Sequence, residues 1–266
     1  MYDEFETKTS LRYLQKVIPV VVEPICLIGG WGVYFNVNKE FRKRFGKDYL
    51  GSRDIDFGFF IDTKWNQKQL SESSFARTLD LLEKELKFEL QGERLRKDFH
   101  IIEEKELSVE TAKQVPLSFL FPLFIDLMVS NSHPGLKKVV GFEPFSEPML
   151  ETVFRHPEYR TELKEFNKKV WLPKPEILLA TKLNSVNQRS KSDKRLKDIL
   201  DIIGLLMFSE KTAKELKADL FKLLPQPKAK HSIEGIKENE LAQASSIISG
   251  ITTQEIKTNF EIISVK

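Results

Sequence analysis

One cysteine in 266 residues, Cys26, leaves the chain without an internal disulfide. Its place in an apolar run marks it as a small buried hydrophobe in a reducing compartment. The four histidines, His100, His133, His156 and His231, are scattered without ligand spacing, which argues against zinc. Net charge is nearly absent too: 42 basic against 39 acidic residues leave +3, so a nucleic-acid surface would have to come from local clusters. The most apolar window, "PLSFLFPLFIDLMVS", is short and carries Pro122 and Asp126, so no membrane span is expected. "MYDEFETKTS" is acidic and polar, unlike a signal peptide. There is no G-x-x-x-x-G-K-[ST] loop, no G-x-S-x-G, no internal repeat and no low-complexity tract. What remains, 41% hydrophobic and 30% charged, is the composition of a folded, soluble chain, expected in the cytoplasm.

The apolar periodicities predict an α+β protein. Leu11, Leu14 and Val17 share one side of a short helix over 9–17. "VIPVVVEPICLIGG" reads as a buried strand closed by a turn, and "WGVYFNVNKEFRKRF" as a helix with a basic exit. In "DIDFGFFID", Ile55, Phe57 and Phe59 alternate with Asp54, Asp56 and Gly58, a strand pattern. Phe75, Leu79, Leu82 and Leu86 stripe a helix over 74–88. "FHIIEEKEL" and "FLFPLFIDLMVSNS" read as two further strands. Together these predict a mixed sheet with flanking helices over 1–150. Residues 151–266 read as a helical bundle: Pro175 suits a first helical position, "RSKSD" breaks the chain, and Ser192 or Asp193 would cap "KRLKDILDIIGLLMFS". Two or three more helices are expected after Ser209.

Three features could carry chemistry. Asp54 and Asp56 lie two apart on a strand, so both carboxylates emerge on one face, with Cα atoms roughly 6.5–7 Å apart. That spacing suits a hard cation such as magnesium, but it equally suits the polar edge of an ordinary strand. Gly29-Gly30, between strand and helix, would let backbone N–H groups approach an anion, or simply make a tight turn. Asp126 interrupts an otherwise apolar strand; a lone carboxylate there is costly unless paired, hydrogen-bonded or bound to metal, or it caps a strand end. With Asp54 and Asp56 on an adjacent strand, three carboxylates would repel strongly without a compensating cation.

Taken together, "LIGGWGVYF…GSRDIDFGF…LFIDLMV" resembles the core of the nucleotidyltransferase superfamily of polymerase-beta-like folds. "LPKPEILLATKLNSVNQRSKSDKRLKDILDI" is similar to the helical region of AbiEii-type toxins. The resemblance covers roughly residues 20–205. Its one departure is a longer interval from Gly30 to Asp54, filled by "NKEFRKRFGKDYLG" as an insertion or extended helix. The resemblance implies that Asp54, Asp56 and Asp126 bind one or two magnesium ions and act catalytically on a nucleoside triphosphate. Gly29, Gly30 and Ser52 would line its phosphates, and Lys182 and Arg189 would meet them from one helical face. On their own, Lys182 and Arg189 read as solvated surface charge; the functional reading comes from the resemblance. Asp198 would either orient them or brace its helix through the i,i+4 pairs Lys194–Asp198 and Lys197–Asp201. The family implies a toxin acting on tRNA beside a cognate antitoxin. The alternatives are transfer to a small molecule of aminoglycoside type, transfer to a protein side chain, or a non-catalytic nucleotide-binding or antitoxin-like module. "KEFRKRFGK" and "NQRSKSDKRLK" are compatible with RNA phosphates.

Overall fold

The structure, a computed structural model, describes residues 3–264. It is α+β and divides into two compact units, residues 1–31 with 51–173 and residues 32–50 with 174–266.

The first unit is built on one mixed sheet of nine strands. These are β1 (Ile25–Ile28), β2 (Ile55–Phe59), β3 (Glu89–Gln91), β4 (Arg94–His100), β5 (Lys105–Leu107), β6 (Leu120–Val129), β7 (Phe145–Ser146), β8 (Arg160–Leu163) and β9 (Val170–Pro173). The order is β3-β4-β6-β2-β1-β9-β8, with β5 beside β4 and β7 beside β6. Helices α1 (Glu4–Val17), α3 (Gln67–Ser71), α4 (Ser74–Lys84), α5 (Val109–Ala112), α6 (Leu136–Val140) and α7 (Met149–Arg155) complete the unit, and α2 (Gly29–Phe45) begins in it and ends in the other. Ile55, Phe57 and Phe59 are fully buried, as their alternation predicts, and the Phe59 ring meets Phe75 of α4 edge-on at 5.6 Å.

The sequence expectations need four corrections here. The apolar run before Cys26 is a strand only from Ile25: Pro19 and Pro24 have no N–H for a ladder, and Val20 and Val21 donate back to the Val17 carbonyl as turns. "FHIIEEKEL" is a hairpin rather than one strand, because β4 ends at His100 and β5 starts at Lys105. The helix over 74–88 stops at Lys84; Lys87 takes a left-handed φ of 55°, which turns Phe88 inward and leaves Leu86 beyond the helix end. The unit boundary falls at Pro173 rather than 150, since β8 and β9 belong to the sheet.

The second unit is helical: most of α2, then α8 (Pro175–Ser185), α9 (Ser192–Phe208), α10 (Ala213–Leu223), α11 (Gln226–Glu234), α12 (Glu238–Ile247) and α13 (Thr253–Ser264). Pro175 opens α8 as expected, and α9 starts at Ser192 with Lys191 in the capping position. Four helices, not two or three, follow Ser209. Helix α8 packs against α9, α10 and α11. The long interval after Gly30 is an extended helix: Phe41 of α2 sits edge-on to Tyr49 and Phe208 at 5.2 and 5.1 Å. Among the described residues no helix is long and apolar enough to cross a membrane.

Gly58 shares the strand face of Asp54 and Asp56, and a Cβ there would run into Leu150 of α7. The packing of α7 on this face thus requires a glycine. Gly58→Val is expected to cost about 1–3 kcal/mol through overpacking, read as a lower urea midpoint. An unchanged midpoint would mean that Leu150 simply rotates away.

Candidate functional site

Strand register assembles the acids. Asp56 of β2 pairs with Asp126 of the parallel neighbour β6, and Asp126 pairs in turn with Arg94 of the antiparallel β4. On the other side Asp56 pairs with Ile28 of β1, the residue just before Gly29-Gly30. Paired residues on neighbouring strands project from the same face, so Asp56, Asp126 and Arg94 form one row across three strands. Asp54, two residues before Asp56, joins them from the strand entrance, and Arg94 reaches it. Asp126 is 8% exposed, while Asp54 and Asp56 are half-buried.

Arg94 is the cation of this row. Its Nε donates to Asp126 Oδ1 at 2.5 Å, while one terminal nitrogen donates to Asp126 Oδ2 at 2.8 Å and to Asp54 Oδ2 at 3.0 Å. The guanidinium also lies 4.0 Å from the Phe124 ring centre. Burial opposes its charge, but the hydrogen bonds and charge of Asp126, with those of Asp54, outweigh that and hold it above the usual arginine range. Sequence reading missed Arg94 because "GERLRKDFH" is too polar to stand out as a strand. The usable signal was Gly92: with Glu93 it makes a two-residue hairpin loop at φ 64°, which sets Arg94 opposite Gln91.

Gly29 lies at the joint between β1 and α2. Its φ of 62° favours glycine, and a Cβ built there would overlap the Asp56 carboxylate. Asp56 therefore rests against the bare backbone where α2 begins, and a helix start favours negative charge. Gly30 is buried, as is Ser52 at 7% exposure.

In kind, these donors suit a hard divalent ion: carboxylate oxygens side by side on neighbouring strands. As arranged they do not fit one, because Arg94 takes both oxygens of Asp126 and one of Asp54. Among the described residues no group of three His, Cys, Asp or Glu side chains is disposed to hold a metal.

Lys182 and Arg189 belong to a separate ionic network inside the helical unit. Lys182 Nζ lies 2.6 Å from Asp198 Oδ1 and 2.8 Å from Asp201 Oδ2, which ties α8 to α9. Arg189 Nε donates to Asp198 Oδ2 at 2.7 Å, Ser185 donates to the same oxygen at 3.0 Å, and Lys197 pairs with Asp201. Lys182, Lys197, Asp198 and Asp201 are all buried, at 9%, 6%, 2% and 0% exposure. Both expectations for this helix hold in part: Lys197–Asp201 is an i,i+4 brace, whereas Asp198 turns to Lys182 and Arg189. Burial would discharge Lys182, but Asp198 and Asp201 outweigh it and raise its pKa; at Lys197 burial prevails and lowers it. Asp198 would be pushed up by burial, yet Lys182 and Arg189 bring it down to about 2.

The basic clusters are largely answered by acids of their own unit. Lys39 pairs with Glu210, Arg42 with Asp48, Lys43 with Glu40 and Arg44 with Glu255. Arg195 braces Glu240 and the carbonyls of Val186 and Gly235.

No family model and no curated protein matches the chain. Among solved structures it is similar to an antigenic nucleotidyltransferase-like protein from Paracoccidioides brasiliensis. The identity is 17%, over 92% of this chain and 93% of that one, with a TM-score of 0.41. A likeness of that size carries no argument about fold or function.

The Asp198 network predicts a pH signature. Its folded pKa of about 2 lies below the roughly 3.9 of an unfolded aspartate. Its stabilisation is therefore whole above about pH 4 and fades as pH falls toward 2. Asp198→Asn is expected to cost about 3–5 kcal/mol near neutrality, with the gap to the parent closing over that acid range in urea titrations. A gap that does not change with pH would show that Asp198 carries no charge in the fold.

Proposed function

We propose that the chain is a nucleotidyltransferase, moving a nucleoside monophosphate from a nucleoside triphosphate to an acceptor hydroxyl. One observation carries this reading. Asp56 and Asp126 stand side by side in register on parallel strands, Asp54 lies on the same face, and a glycine at the start of α2 opens directly onto Asp56. A row of one buried and two half-buried carboxylates facing a bare helix start is costly to keep for structure alone.

In this reading Gly29 and Gly30 present backbone N–H groups to phosphate oxygens, with Ser52 two residues before Asp54 in the chain. Asp126 accepts the proton of the acceptor hydroxyl. The acceptor oxygen bonds to the α-phosphorus as the bond to the pyrophosphate oxygen breaks, and pyrophosphate leaves. Both Asp126 oxygens now accept from Arg94, so this proton transfer follows the release of Arg94. Magnesium, if held by Asp54, Asp56 and Asp126, would offset the phosphate charge. Lys182 and Arg189 would add phosphate contacts only by leaving Asp198, so their first role here is to hold α8 to α9.

The acceptor proposed is the 3′ end of a tRNA, as for an AbiEii-like toxin held in check by an antitoxin. This rests on the sequence resemblance alone. Small-molecule hydroxyls and protein side chains are the alternatives. Incubation with magnesium, each labelled nucleoside triphosphate and total tRNA, aminoglycosides or protein is expected to label one acceptor class. Asp126→Asn should slow labelling by about 10²–10⁴-fold. Absence of triphosphate binding, with Asp56→Ala indistinguishable from the parent, would leave a non-catalytic module and sink the enzyme reading.

A further inference from the structure

The charge balance of the acid row raises a question that the proposed activity does not answer. A cation bridging Asp54 and Asp126 needs the lone pairs that Arg94 already holds. Arg94 engages Asp126 as a two-toothed fork, at 2.5 and 2.8 Å, and reaches Asp54 with the same terminal nitrogen at 3.0 Å. Such charge-assisted, bidentate bonds are the strong ones. Being tethered to β4 directly opposite Asp126, the guanidinium also acts at a high effective concentration. A metal and Arg94 therefore cannot both take these oxygens. The side chain is nonetheless 21% exposed, which leaves it an open side toward which to withdraw.

We infer that Arg94 is a built-in competitor for a divalent cation at this site: it neutralises Asp126 and Asp54 and must release them before a metal can take their oxygens. The inference rests on the nucleotidyltransferase reading for the metal but concerns a residue that reading does not assign. It makes Arg94 a positioning residue that sets metal affinity. Metal entry and binding of a polyphosphate then become coupled, because the anion offers the displaced guanidinium a new partner.

The test measures manganese binding, by titration calorimetry and by the loss of free-ion paramagnetic resonance signal, together with thermal melts. Without metal, Arg94→Gln is expected to melt below the parent, because it leaves Asp54 and Asp126 without this cation. Manganese should raise its melt more than the parent's and bind at least about tenfold more tightly. Adding Asp126→Asn in that background should abolish the gain. If Arg94→Gln does not fold, Arg94→Lys is read instead: lysine keeps the charge without the fork, and a gain of roughly threefold is expected. Manganese binding to the parent that is unchanged or weakened in the Arg94 variants overturns the inference and leaves the nucleotidyltransferase reading standing. Manganese bound by neither parent nor variants overturns the inference and the metal-dependent reading together.

Discussion

Two like charges fixed side by side in a β-sheet are the constraint from which the rest of the site follows. Asp56 and Asp126 share a register position on parallel neighbours, so their carboxylates cannot diverge without breaking the ladder. Repulsion at that spacing has to be answered locally. The next strand answers it by placing Arg94 opposite Asp126, and the start of α2 answers it by bringing a bare backbone against Asp56. Each answer fixes a further residue. Gly29 must lack a Cβ, and the Gly92-Glu93 turn must set β3 and β4 in the register that delivers Arg94. The sheet therefore carries its electrostatics in its pairing pattern more than in any flexible loop.

The helical unit handles charge differently. There Lys182 and Lys197 meet Asp198 and Asp201 between two packed helices, almost out of solvent, while Arg189 reaches Asp198 from the exposed segment that joins them. Buried networks of this kind add little net stability compared with an apolar core, yet losing one member is expensive. What the network does secure is a fixed pairing of α8 with α9: Lys182 finds both aspartates only when Asp198 and Asp201, one turn apart on α9, face it. The acid row holds an arginine with 21% of its side chain exposed, whereas the Lys182 ammonium is buried between Asp198 and Asp201.

The parts legible in the sequence were those written in local periodicity. Ile55, Phe57 and Phe59 alternating with Asp54 and Asp56 fixed β2, Pro175 fixed the start of α8, and Asp126 in an apolar run marked β6. That Asp126 stands on a strand next to Asp54 and Asp56 is an expectation the register bears out. Arg94 could not be found this way, because a polar strand in mid-sheet has no apolar signature and its partner is set by long-range pairing. Lys182 showed the opposite difficulty. Its place on a Pro-led helix was readable, but whether its ammonium met solvent, phosphate or Asp198 depended on which face of α8 packs on α9. The basic run after Gly30 looked like a phosphate-binding surface for the same reason: its acidic partners, such as Glu210 and Glu255, lie more than 150 residues away in the chain.

A metal-bound nucleotide seated on this row of acids would require Arg94 to give way. Anomalous diffraction from crystals soaked with manganese and a non-hydrolysable nucleoside triphosphate tests it most directly. Expected are an anomalous peak between Asp56 and Asp126, phosphate density at Gly29 and Gly30, and Arg94 withdrawn from Asp126. Saturating soaks that leave no peak at these acids, with Arg94 still bound to both oxygens of Asp126, would contradict it.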